Sequence, residues 1–600
     1  PPPWQSVIEN TDLVVAFGGM PLRNAQISAG GTGRHRSREA MFQAKSAGVD
    51  FVNVSPIRSD TASDLAADWL PARPGSDVAI MLGLAHELYR NGWHDAGFLN
   101  HYTTGFEHFA DYLTGSTDGI AKTVNWAAAI SGVPAEDIAA LAKRMTGGRT
   151  VISASWSLTR QEHGEQPFWM ATTLAAMLGQ IGLPGGGVAF GYCAANSIGN
   201  EKNAVEYAAL PQLENAVRDF IPVARISDML LNPGKTCSYR GRALTYPDIR
   251  LIYWAGGNPF HHHQDLTRFC AAWQRPETII VNEWCWNACA KRADIVLPCT
   301  TALERDDLMI TPRDRFIVSM EAAIPPKGEA RDDYDIFRGI AHRLGVEDSF
   351  SEGRTACQWQ KWLYDESRDR ARDSGVALPD YDSLLDKGWH ETKILDTPPD
   401  AFAAFRLDPD DAPLKTPSGK IEITSSSISA YNRSGILAHP AWHEPEEWLG
   451  KADRTFPFHL ISSQPADKLH SQLDHGGYSR SQKRNGRTPI GIHPADAEPR
   501  NIAEGDTVRV YNHRGACLAT ASHDSNLMRG VVQMSTGAWL DAVEQEDGTL
   551  LCRHGNPNTV TRDVGTSEIA QGPTAHSCLV GIERFPENVP IEAFVPPPTE

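Results

Sequence analysis

The apolar positions of this chain fall into two rhythms. Up to about Leu344, short apolar runs that end in Gly, Asn or Pro alternate with stretches of helical spacing. The runs predict buried strands over 11–17, 49–56, 151–155, 249–254, 278–281 and 292–297. The helical spacing predicts helices over 39–47, 77–89, 134–145, 168–181, 266–273 and 332–344. Strand, loop, helix, strand is the repeating unit of a doubly wound α/β sheet. Beyond the Pro- and Glu-rich stretch 439–448 the rhythm changes. Short strands over 458–461, 507–511, 517–522 and 530–534, separated by turns, predict a β-barrel. The stretch 346–413 is charged and dotted with Trp, and is expected to be helical covering structure.

The polar residues gather where the runs stop. Asn53, Ser55, Arg58 and Ser59 leave the second run, and Asp77 opens the next helix. Trp156, Ser157, Arg160 and His163 follow the run 151–155. Gly257, Asn258, His261 and His262 follow 249–254, Asn282 and Glu283 close 278–281, and Asp294 falls in the last run. In an open parallel sheet, ligands sit at the carboxyl ends of the strands. Backbone N–H groups at a Gly turn leading into a helix suit a phosphate or pyrophosphate. Taken singly, each of these residues also has a plain structural reading: a turn glycine, a capping Asp, a satisfied core His. In the barrel, Ser463, Gln464, His470, Ser471 and Gln472 form one polar loop and Asn556 and Asn558 belong to another. Their neutral donors and acceptors suit a flat heterocycle edged with both.

Composition narrows the class. The 600 residues span several domains. A net charge of −18 argues against a nucleic-acid or anionic-membrane partner. No apolar run is long enough for a membrane helix, so membrane insertion is not expected. The start, Pro1-Pro2-Pro3-Trp4, lacks the features of a signal peptide. The ten cysteines include no CxxC pair and are expected to be unpaired thiols, with no iron–sulfur cluster.

Several strings carry a more specific signal. Gly257-Asn258-Pro259-Phe260-His261-His262, then Val281-Asn282-Glu283, then Ala293-Asp294-Ile295-Val296-Leu297-Pro298, resemble the dimethyl sulfoxide reductase family. The stretch from Trp156 through His163 to Gln166, and Thr416-Pro417-Ser418-Gly419-Lys420-Ile421-Glu422, resemble it in the same order. The likeness is nearest to the S-oxide and N-oxide reductases. It implies two dinucleotide-binding-like doubly wound α/β domains, 1–200 and 201–435, and a C-terminal β-barrel of double-psi type, 436–600. It implies Mo-bis(molybdopterin guanine dinucleotide) as cofactor, with the polar residues named above as its contacts and Asp77 with Arg58 as the favoured guanine pair. Oxygen-atom transfer from an S-oxide or N-oxide is the implied reaction, and a cytochrome or small redox protein the electron donor. Relatives acting on formate or nitrate, or a non-catalytic cofactor-binding or assembly role, are the alternatives. Family members occur in the periplasm and the cytoplasm, and the periplasm is favoured.

The resemblance also implies a Ser metal ligand on a segment upstream of this chain's opening. Ser6, Ser28 and Ser37 do not match that segment, so no metal ligand and no catalytic residue is assigned. The expectation is a reductase lacking its amino-terminal portion, or one chain of a split protein whose companion supplies the ligand.

Overall fold

The structure is a computed structural model that describes residues 1–27, 35–200, 205–311, 314–392, 400–431 and 435–598. Ser28 and the Gly-rich loop after it lie outside the described residues.

Five parallel strands form the first sheet, in the order Asp68–Leu70, Asp50–Val54, Leu13–Phe17, Thr150–Ala154, Gly187–Phe190. Leu13–Phe17 and Thr150–Ala154 are buried along their whole length, because both faces of the sheet are covered. Val15 and Phe17 pack toward helices Asp77–Arg90 and Gln166–Met177. Val14 and Ala16 face helix Ser37–Ser46 on the other side. The central strands thus sit where the apolar runs place them. Gly187–Phe190 has no such signal: it is short and begins in a Gly turn.

The second parallel sheet is smaller. Leu251–Ala255, Thr278–Glu283 and Ile295–Pro298 lie side by side, with Asn282 in register with Ala255 and Leu297. The covering region is mixed rather than helical. Helices Ala356–Asp373 and Tyr381–Lys387 accompany an antiparallel sheet of Asp307–Met309, Phe316–Met320 and Trp389–Glu391.

The barrel closes. Pro489–Ile492 pairs with Val531–Ser535, which continues through Phe458–Ser463, Leu579–Arg584, Thr507–Asn512 and Gly515–His523 back to Pro489–Ile492. Closure removes the exposed edges of an open sheet. The barrel and the second sheet share one apolar core, with Phe260, Phe269 and Val281 packed among Leu460, Val508 and Val532. Among the described residues no helix is long and apolar enough to cross a membrane.

Candidate cofactor cleft

A cleft of about 710 Å³ opens between the carboxyl edge of the first sheet and the barrel. Ser55, Asp77, Ser157 and Arg160 line it from the sheet side, and Ser463 and Gln464 from the barrel. Asp77 is the first residue of helix Asp77–Arg90 rather than its cap, and it is buried. Burial pushes its carboxyl up to about 6, against a hydrogen bond from Gln161. Burial also lowers Arg160, which forms no ion pair among the described residues. An unpaired guanidinium in a cleft wall is an anion receptor without its anion.

Four lining residues escaped sequence reasoning. Arg23 pairs with Asp60 at 2.8 Å, and Ser55 Oγ donates to Asp60 at 3.2 Å. Gln161 steadies Asp77, and His576 donates its backbone N–H to the Arg160 carbonyl. Asp60 and Gln161 lay within polar strings at strand ends, while Arg23 and His576 had no such signal.

Of the two residues expected at the guanine, Asp77 lines the cleft and Arg58 does not. The turn Arg58–Asp60 is a 3₁₀ helix, so consecutive side chains point in different directions: Asp60 is buried, Arg58 and Ser59 are exposed. The Arg58 guanidinium stands 6.0 Å from the Trp69 ring centroid, outside the cleft lining. Asn53 is buried, but its amide nitrogen donates to the carbonyls of Ile57 and Arg58 and shapes that turn. Trp156 is 46% exposed and packs so close to Gly191 that a Cβ there would meet its indole nitrogen at 2.2 Å. His163 has φ 57° and stacks on His443 at 4.5 Å, facing the linker rather than the cleft.

The second string does not line that cleft, and neither does His470 of the barrel loop. Gly257 has φ 82° and open space where a Cβ would project, so a ligand can approach its backbone. Asn258 caps helix Pro259–His262 through its side-chain oxygen, leaving its buried amide nitrogen without a partner. His261 is buried with Nδ1 unpartnered, and burial together with His262 and His470 lowers it to about 3. Its ring lies 5.7 Å from that of His470. His470 is held below its usual range by burial and by the charge of Arg160. The barrel loop therefore runs from Ser463 and Gln464 in the first cleft to His470 beside His261. Ser471 is buried and its carbonyl accepts from Trp539 Nε1; Gln472 is exposed.

Other residues of this half are committed to the protein. Asn556 donates to the carbonyls of Phe260 and Ala538, and Asn558 donates to that of His261 at 2.6 Å. Their side-chain oxygens accept from Asn558 N–H and Thr561 Oγ. Asn282 accepts from Tyr253 and donates to Asp333. Glu283 accepts from the Trp284 N–H and the Asn287 amide, closing a turn. These groups hold backbone in place and leave little for a ligand. Asp294 lies at the opposite, amino edge of the sheet, where it accepts from the Ile279 N–H.

A second cavity, about 1240 Å³, lies beyond Asn282. Asp332 and Asp333 line it, tied by one oxygen each to Thr300 and Asn282, with Tyr334, Phe350 and Trp359 as an aromatic wall. Neither aspartate forms an ion pair among the described residues.

The walls fit a long heterocycle bridged by an anion. Asn258 Nδ2, His261 Nδ1 and Ser462 Oγ are buried polar atoms with no protein partner, and Arg160 is a cation with no counter-charge. A parallel α/β sheet whose strand ends and unpaired Arg meet a barrel mouth, beside a second sheet with a Gly turn at its strand end, is the architecture of a dinucleotide-cofactor protein. Comparison with known proteins gives the same class a family. The description "Molybdopterin oxidoreductase" matches residues 4–343, and "Molydopterin dinucleotide binding domain" matches 458–579. A biotin sulfoxide reductase of Cereibacter sphaeroides is 47% identical over 96% of this chain and 77% of its own length. A trimethylamine-N-oxide reductase of Haemophilus influenzae is 41% identical, over 97% of this chain and 72% of its own. A dimethyl sulfoxide/trimethylamine N-oxide reductase of Cereibacter sphaeroides is 42% identical over the same shares. The acetylene hydratase of Pelobacter acetylenicus aligns with TM-score 0.65 over 96% of this chain and 78% of its own, at 17% identity, a likeness of fold. The chain belongs to the molybdopterin oxidoreductase family: it is an enzyme of that family, with Mo-bis(molybdopterin guanine dinucleotide) as its cofactor.

Proposed function

We propose that this protein reduces an S-oxide or N-oxide by oxygen-atom transfer, as the names of its relatives state for them. The observation that carries the reading is the cleft at the sheet edge and barrel mouth, where Arg160 has no counter-charge among the described residues beside the buried Asp77. When bound, the molybdenum cofactor supplies the two-electron exchange that lets oxygen leave the substrate. The chain's own residues bind and orient. Asp77 accepts from the N–H edge of one guanine, and Arg160 meets pyrophosphate charge. Neutral His261 and His470 face the pterin edge as donors or acceptors, without adding charge. Asp332 and Asp333, against their aromatic wall, take the second guanine. On this reading 1–200 and 201–435 each carry one dinucleotide, and 436–600, a double-psi barrel, caps both. A cytochrome or small redox protein in the periplasm donates the electrons.

The test uses full-length protein from cells grown with molybdate. It should hold about two pterins per molybdenum and oxidise a reduced viologen with biotin sulfoxide, dimethyl sulfoxide or trimethylamine N-oxide. Molybdenum-replete protein inert toward all three overturns the reading.

A further inference from the structure

Two buried ionic clusters join the barrel to the two parallel sheets, and both end on neighbouring residues. Arg562 Nη1 donates to Glu162 at 2.8 Å, and its other nitrogens meet Glu446 and Glu447 of the linker. Glu162 follows Arg160 and Gln161 in the first string, and its backbone N–H donates to Ser577. Asp563 accepts from Arg268 at 2.7 Å and sits 3.2 Å from His263 Nε2. His263 follows His261 and His262 in the second string, and Ser227 Oγ lies 2.9 Å from the same nitrogen. The Arg562 side chain is 10% exposed and that of Asp563 2%.

The two Cα atoms are about 3.8 Å apart across one trans peptide. One side chain therefore grips the first sheet's string and the next grips the second's. The dipeptide is itself fixed. Thr574 Oγ donates to the Arg562 carbonyl at 3.2 Å, and the Asp265 N–H donates to the Thr561 carbonyl at 3.1 Å. Beside that link, the first string is tied to the barrel near this point by three single bonds: the Glu162 N–H to Ser577 Oγ, the His163 N–H to the Thr566 carbonyl, and the His576 N–H to the Arg160 carbonyl.

We propose that Arg562-Asp563 is a yoke, a pair of positioning residues that holds the two cofactor-facing strings in register with each other. A disturbance on one side then reaches the other through a single peptide unit. The inference rests on the reading that both strings flank one bound cofactor. It differs from two independent ion pairs, each of which would serve only its own side.

Hydrogen exchange of the full-chain holoprotein separates the two. The reporters are the bonded amides of His163 and Gln166 on the first side and of His261 and His263 on the second. Arg562→Gln should speed exchange about tenfold at 158–166 and, through the yoke, also at 257–264. Arg562→Lys, which keeps the charge, should restore part of the protection on both sides. Asp563→Asn should act in the opposite direction, from 257–264 to 158–166. If Arg562→Gln does not fold, Glu162→Gln loosens the same grip more gently and is read at 257–264. Faster exchange confined to the mutated side overturns the yoke. Molybdenum and guanine content, measured on the same samples, keep the two ideas apart. One-sided exchange in protein with full cofactor sinks the yoke and spares the cofactor reading. Two-sided exchange in unsubstituted-level protein that never takes up molybdenum upholds the yoke and sinks that reading.

Discussion

The two strings at the strand ends use their polar residues in opposite ways. After the strand Thr150–Ala154, Arg160 is left without a counter-charge, and Asp77 beside it is buried with one side-chain partner. After Leu251–Ala255 and Thr278–Glu283, most polar groups are paired with protein: Asn282 with Tyr253 and Asp333, and the barrel's Asn556 and Asn558 with the Phe260 and His261 carbonyls. Among the described residues of the second string, Asn258 and His261 keep a buried atom without a partner. The first wall is built to bind charge, the second to hold a backbone shape. Substitutions in the first should therefore cost cofactor and spare the fold, while those in the second should cost the fold.

Arg160→Met is expected to have the largest effect. A charge-assisted hydrogen bond is worth about 1.5–3 kcal/mol, so losing two to a pyrophosphate weakens cofactor retention at least about 100-fold. The apoprotein should be about as stable as before, since a half-buried cation without a counter-charge is removed. Molybdenum content and apoprotein melting temperature check both halves. A variant that loses stability and keeps its cofactor breaks the contrast.

Asp77→Asn comes next and carries a pH signature. The folded carboxyl sits at about 6, above its unfolded value of 3.8, so the native state binds the proton more tightly. Burying Asp77 therefore costs nothing below the unfolded value. The cost grows as pH rises toward 6 and is complete above it, at about 3 kcal/mol as an upper figure. Asp77→Asn should stabilise the apoprotein at pH 8 relative to pH 4 by up to that amount. It should also weaken dinucleotide retention at pH 8. Urea midpoints at the two pH values measure the first effect, and a stabilisation equal at both rules out the assignment.

The difference between the two walls marks what the chain discloses before folding. Leu13–Phe17 and Thr150–Ala154 were legible because a strand buried on both faces must be a continuous apolar run. Trp389–Glu391 was not, since it is a strand only by pairing with Phe316–Met320, far away in sequence. The strings themselves were legible as polar clusters at strand ends. Orientation was not: nothing in Arg58-Ser59-Asp60 says that a 3₁₀ turn buries the Asp and exposes the Arg. Nor could Asn558 be known as spent, because the carbonyl it serves is 297 positions away.

Asn558→Ala tests the second wall. It leaves the His261 carbonyl and Thr561 Oγ buried without partners, each worth about 1–3 kcal/mol. A loss of about 2–3 kcal/mol is expected from denaturant unfolding of the apoprotein. Cofactor content should fall only as far as folded protein does. Full stability with lost cofactor would make Asn558 a direct ligand and erase the contrast with Arg160.

The smallest effect is expected at Arg58. The family resemblance implies Arg58 beside Asp77 at a guanine, yet its guanidinium lies over the Trp69 ring in an exposed position. Exposed cation–π contacts are worth about 0.5–1 kcal/mol. Its backbone N–H, which bonds the Asn526 carbonyl, survives any side-chain change. Arg58→Ala should therefore shift stability by no more than about 1 kcal/mol and leave molybdenum and guanine content unchanged. The neighbouring Arg23→Ala differs in kind. It strips Asp60 of its counter-charge inside the cleft wall, where burial already works against the carboxylate. If Arg58→Ala empties the cofactor site and Arg23→Ala does not, then the loop turns over when the cofactor binds, and the side of the 3₁₀ turn that faces the cleft is the reverse of the one seen.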